Sequence, residues 1–331
     1  MEVQKMYKKI IVLLVGLLLV SALFAEKSLE RIANETAAKA DSLYEAGQYV
    51  KAGQTYEEAV TKLEQAVQEM GIPMDNQKRG LWYRNAYASY AKGQDMENAA
   101  RVLGERIKLD PDNYNLVEVR AYIYKKYLDN IPKAIEILEE YNQRRRTFEV
   151  EEKIANYYID ANDLENALKW YQKAYELKKD SQVIKNIATI YVKLGNNQKA
   201  IQAYEDFLET NPSETVLAKT YKNMGALYDD IKESEQANKY YEKSLELQYN
   251  RNIALLLLSK YYDNQQYQKA REKAELLLSK NAADNDALYY RAMINYDIGS
   301  KQQAKADFEK IKSNPKYSQI AKGYIDSIES E

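Results

Sequence analysis

The chain contains no histidine and no cysteine, and this bounds the chemistry its residues can do. Without cysteine there are no disulfides, thiolate metal ligands or thiol nucleophiles; without histidine the commonest metal ligand and general base are missing. What remains is carboxylate, lysine, tyrosine and serine chemistry: a carboxylate pair of the glycosidase kind, or an all-oxygen site for magnesium or calcium. Acidic residues occur throughout, but the sequence marks no two of them as a catalytic pair. Asp110-Pro111-Asp112-Asn113 resembles a calcium-ligand run, and Ala283-Asp284-Asn285-Asp286 is similar. Neither is followed by a glutamate at the spacing that completes an EF-hand loop, and both read as turns. There is no glycine-rich phosphate loop. Arg144-Arg145-Arg146 follows a helical stretch, where cations complement the helix dipole, and reads as a solvated turn. Trp82 and Trp170 stand at helical positions suited to packing. The expectation is a protein that is not an enzyme and uses no cofactor and no metal.

The elements that position these residues are helices. Only 11 Gly and 5 Pro occur in 331 residues, too little turn chemistry for a many-stranded sheet, and the common residues are good helix formers. Alanines recur at Ala52, Ala99, Ala134, Ala167, Ala200, Ala237, Ala270 and Ala304, spaced 47, 35, 33, 33, 37, 33 and 34. After the first gap this is a period near 34. Nine residues before each anchor stand Leu43, Tyr90, Lys125, Tyr158, Tyr191, Tyr228, Tyr261 and Asn295. Twelve before stand Ala40, Tyr87, Tyr122, Ala155, Ala188, Gly225, Leu258 and Ala292. Four after stand Tyr56, Leu103, Leu138, Tyr171, Tyr204, Tyr241, Ala274 and Phe308. A small, large, small, large rhythm therefore repeats along the chain.

This pattern resembles the tetratricopeptide repeat (TPR) family, in which small residues let two antiparallel helices approach and aromatics fill the space between them. The resemblance implies an all-α solenoid, a right-handed superhelix of helix pairs. Its repeats fall near 33–66, 80–113, 115–147, 148–180, 181–214, 218–250, 251–284 and 285–316, with a capping helix over 317–331. It is weakest near Asn115, where Tyr122 and Lys125 replace the expected small and aromatic residues. The first spacing of 47 implies a second helix that runs on to about Met70.

The N-terminus places Lys5, Lys8 and Lys9 before an apolar run from Ile10 to about Ala25, the layout of a secretory signal peptide. The expected organisation is a signal over 1–25 and a single solenoid over 26–331, in a secreted, periplasmic protein. An uncleaved segment would instead anchor the chain in the inner membrane. A formal net charge of −2 gives no sign of nucleic-acid binding.

In TPR proteins the first helix of each repeat lines a concave groove. The corresponding positions are Lys185, Lys193, Lys219 and Lys222, which would attract an acidic segment. Further along, Tyr262, Asp263, Asp286, Tyr289, Met293, Tyr296 and Asp297 would attract a basic or aromatic one. Lys185, Lys222 and Asn223 echo the carboxylate clamp of some members, but Thr189, Asn252 and Leu256 depart from it. The expected function is a non-catalytic scaffold of the bacterial cell envelope that holds a protein or peptide segment in this groove. The alternatives are a structural subunit binding by its convex face, and an α/α carbohydrate-active enzyme.

Overall fold

The computed structural model describes residues 29–71 and 73–330; the expected signal segment, 1–25, lies outside them. Among the described residues every regular element is helical. The helices run as α1 (29–45), α2 (Tyr49–Met70), α3 (Asn76–Lys92), α4 (Met96–Leu109), α5 (Tyr114–Lys126), α6 (Ile131–Arg144), α7 (Phe148–Asp160) and α8 (Leu164–Leu177). They continue as α9 (Ser181–Lys193), α10 (Asn197–Leu208), α11 (Glu214–Asp230), α12 (Ser234–Leu247), α13 (Arg251–Asp263), α14 (Tyr267–Lys280), α15 (Asn285–Asp297), α16 (Lys301–Ile311) and α17 (Ser318–Glu329). Two compact units result, one ending at Lys178 and one beginning at Lys179. Within each, successive helices form antiparallel hairpins that stack on their neighbours, an α-solenoid arrangement. None of the described helices is long and apolar enough to cross a membrane.

Local chemistry sets the helix limits. Asp95 and Asp163 cap α4 and α8 by accepting from the backbone N–H groups of Asn98 and Asn166, each cap stabilising by about 1 kcal/mol. Most hairpin turns are three residues long. Their middle residue is left-handed: Gly47, Gln94, Asn162, Gly195, Lys232, Gln265 and Gly299 all have positive φ. The next N–H then reaches back across the helix end, as from Asn196 to the Tyr191 carbonyl at 2.9 Å. Glycine at 195 takes this conformation freely; Lys232 and Gln265 hold it at a cost of about 1–2 kcal/mol each.

The α5–α6 turn is different. It has four residues, 127–130, with the left-handed conformation at Asp129, and its closing bond runs from the Asn130 N–H to the Tyr124 carbonyl. The extra residue corrects the expected register. Ala121, not Tyr122, is the buried small residue of α5, and Tyr124, not Lys125, packs against the core. Tyr122 is 47% exposed, and Lys125 reaches Asp160 instead.

Elsewhere the small and large positions lie where the spacing puts them, except that Tyr87, at a small position, is half-buried beside the fully buried Ala86. Ala188, Ala200, Tyr204 and Phe207 are buried in α9–α10, and Tyr191 is half-buried. Gly225 leaves room for the Tyr241 ring, which a Cβ at that position would approach to 2.7 Å. α2 runs on to Met70 and stops at Gly71, whose φ is +64°. Trp82 is buried and Trp170 packs against the cluster of Ile137, Tyr141 and Ile154, so both are packing residues. α17 lays Ala321, Ile325 and Ile328 on the Phe308 cluster and covers the end of the stack. Arg146 is not simply solvated: its Nε donates to the buried Glu151 carboxylate at 2.6 Å.

Candidate functional site

The C-terminal unit contains a groove of about 920 Å³ between the first helices of its last hairpins and α17. α13 contributes Asn252, Leu255, Leu256 and Ser259; α15 contributes Asp286, Tyr289 and Tyr290. α17 and the turn before it add Lys316, Tyr317, Gln319 and Ile320. The leucines are there because Leu255, Leu256, Leu257 and Leu258 are consecutive. A helix that buries one stripe covers only some of four neighbours. Leu257 and Leu258 enter the core, while Leu256 stays 38% exposed and lines the groove with Ile320, which is 40% exposed. Aromatic rings form a rigid wall. Tyr262 meets Tyr290 at 5.5 Å, Tyr290 meets Tyr289 at 5.4 Å, and Tyr289 stacks on Tyr317 at 4.7 Å. The Tyr290 hydroxyl donates to Ser259 Oγ at 3.0 Å.

The carboxylates near this groove are already occupied. Arg251 donates to Asp284 and, at 2.7 Å, to Asp286; Lys316 Nζ and the Tyr317 hydroxyl donate to Asp286 as well. Burial pushes the Asp286 carboxyl upward, but hydrogen bonds from Lys316, Tyr317 and Arg251 outweigh it and hold the group well below the usual carboxylate range. The Tyr262 hydroxyl donates to Asp297 at 2.8 Å, and Ser259 Oγ donates to Asp263 at 3.3 Å. On α11, Asp229 takes Lys260 and Asp230 takes Asn197.

The lysines on the same set of first helices behave differently. Lys193, Lys219 and Lys222 are exposed and Lys185 is half-buried. Among the described residues none of the four side chains has an ion pair or a hydrogen bond. Lys185 and Lys222 stand at equivalent register positions on α9 and α11.

The expected surface residues thus divide. Tyr289 and Asp286 line the groove; Tyr262 and Asp297 form its flanking hydrogen bond; Asp263 is exposed beside it. Tyr296 packs edge-on against Tyr324, in the middle of α17, at 4.7 Å. Met293 is only 8% exposed and belongs to the core with Phe308 and Ile325, because α17 covers the position that opens onto the groove one hairpin earlier at Ser259. Leu256, Tyr290 and Ile320 were not among the residues expected from sequence. The leucine run was the available signal for Leu256. Ile320 had none, since nothing in the spacing places α17 across from α13. Among the described residues no three acidic side chains are grouped to hold a metal ion.

Two tetratricopeptide repeat models match this chain, one over residues 152–181, 186–214 and 218–251 and another over 255–318. These segments are tetratricopeptide repeats, and proteins built from them are generally protein-interaction scaffolds, typically non-catalytic. The chain is similar to a TPR repeat-containing protein of Methanocaldococcus jannaschii, 26% identical over 300 residues, 83% of this chain and 50% of that protein. It is also similar to the photosystem I assembly protein Ycf3 of Synechococcus sp., 27% identical over 105 residues, 28% of this chain and 61% of that protein. The chain thus spans about half the length of the curated relatives it matches. Among solved structures it is similar to a chain of Naa15/Naa10 bound to HypK-THB, with a TM-score of 0.55 at 17% identity over 88% of this chain and 43% of that one. At this identity the likeness is one of fold.

Proposed function

We propose that this protein is a non-catalytic interaction scaffold of the cell envelope, which holds a segment of a partner protein in the groove between α13, α15 and α17. The observation that carries the reading is the groove itself. Leu256 and Ile320, both partly exposed, line it together with tyrosines held by ring contacts and hydrogen bonds. Preorganised aromatic and aliphatic surface of this kind binds with little entropy loss. Lys5, Lys8 and Lys9 ahead of the apolar run to Ala25 support export to the periplasm, with membrane attachment where that run is retained.

Affinity purification from envelopes with the wild type and a Leu256→Asp, Ile320→Asp variant tests the groove. Both positions are partly exposed, so the variant is expected to fold, as checked by circular dichroism. Specific partners should be lost with the variant, and an unchanged partner set refutes the groove. The N-terminal residue of the purified protein tests export, and a chain that begins at Met1 in the cytoplasmic fraction refutes it.

A further inference from the structure

The charges on the first-helix face of the C-terminal unit are unequal in a way that their numbers conceal. Asp229, Asp230, Asp263, Asp286 and Asp297 each accept a hydrogen bond from a side chain of the same unit. Lys185, Lys193, Lys219 and Lys222 have no such partner. Asp286, the carboxylate that lines the groove, is matched by Arg251 and Lys316, and Asp229 by Lys260, so a basic ligand would have to displace a cation from either, whereas Asp230, Asp263 and Asp297 accept only from neutral donors and keep their charge. An acidic ligand meets cations with nothing to give up but water.

Resting on the groove reading above, we infer that the bound segment is acidic with an aliphatic anchor: carboxylates lie along Lys185, Lys219 and Lys222, with Lys193 beyond, and a Leu- or Ile-like side chain sits between Leu256 and Ile320. The tyrosine-lined end, for which the sequence suggests a basic or aromatic ligand, is thus assigned the aliphatic anchor of an acidic one. The lysines contribute attraction and orientation, and the dry contact at Leu256 and Ile320 contributes residence time.

The test is selection of random 16-residue peptides displayed on phage against the full wild-type chain, the Lys185→Ala, Lys219→Ala, Lys222→Ala variant and the Leu256→Asp, Ile320→Asp variant. The expected result is enrichment of peptides with net negative charge and at least one aliphatic residue, lost with the aspartate variant. The best peptide, made synthetically, should bind the triple lysine variant about tenfold or more weakly and lose affinity between 0.05 and 0.5 M salt. Groove-dependent enrichment of neutral or basic peptides, or affinity indifferent to the lysines, overturns the inference and leaves the groove reading standing. No enrichment, or enrichment that survives the aspartate variant, overturns both.

Discussion

The hairpins α5–α6 and α9–α10 carry the same buried alanine anchor, Ala134 and Ala200, yet reach it from different registers. Counting back from Ala200 through a three-residue turn lands on Ala188 and Tyr191, which pack. The same count from Ala134 passes through a four-residue turn and lands on Tyr122 and Lys125, which do not. One residue rotates a helix position by about 100°, enough to turn a core position outward. A repeat is therefore conserved in space one helix at a time, and the turn between the two helices is free to absorb an extra residue.

Truncating the large residue after each anchor should have the largest effect. Tyr204→Ala should cost about 3–5 kcal/mol and Leu138→Ala about 2–5 kcal/mol, because both side chains are buried in their hairpins. Urea unfolding measures both; a loss under about 1 kcal/mol at either would break the equivalence of the two anchors. Next, Ala200→Leu and Ala121→Leu should each cost about 1–3 kcal/mol by overpacking. A register counted through the turn makes position 121 tolerant instead, so an unchanged midpoint for Ala121→Leu would restore that register.

Tyr114 on α5 sharpens the contrast through pH. Its hydroxyl is buried with no partner among the described residues, and burial pushes the phenol above its ordinary value of about 10. A group whose folded pKa is raised stabilises fully below its unfolded pKa and loses that contribution as pH rises toward the folded one. Tyr114→Phe should therefore gain up to about 1 kcal/mol at pH 7 and show a shallower loss of stability above pH 10. Denaturation curves at pH 7 and 10.5 check this; a variant as steep as the wild type would refute it. The smallest effect belongs to Tyr122→Ser, within about 0.5 kcal/mol in thermal unfolding, since nearly half of that side chain faces water. A larger loss would mean that Tyr122 packs after all.

Much of the fold was legible because helix-pair packing leaves local marks. The alanine spacing located the hairpins, Gly71 marked the end of the long α2, and Gly225 opposite Tyr241 had to be small. The candidate site was legible only in part. Tyr289 and Asp286 were found from their repeat positions, but Met293 at an equivalent position is covered by α17. Leu256 was detectable in its leucine run, whereas Ile320 enters the groove from a helix outside the repeating pattern. Glu151 shows the same limit. Its burial against Arg146 depends on α7 packing beside α6, and the arginine run of 144–146 by itself suggested only a solvated turn.

The absence of histidine and cysteine, the helical composition and the period near 34 are properties of the chain itself, and they determined the class of chemistry and the unit of architecture without reference to any contact. Which charges remain available was decided only by the folded arrangement. Arg251, Lys316 and Tyr317 lie 35, 30 and 31 residues from Asp286, yet all three donate to its carboxylate. Lys185 and Lys222 have the same chemistry as Lys316 and no such acceptor. Free charge is set by what lies within about 3–4 Å, and in a stack of repeats those neighbours come from the next hairpin in space.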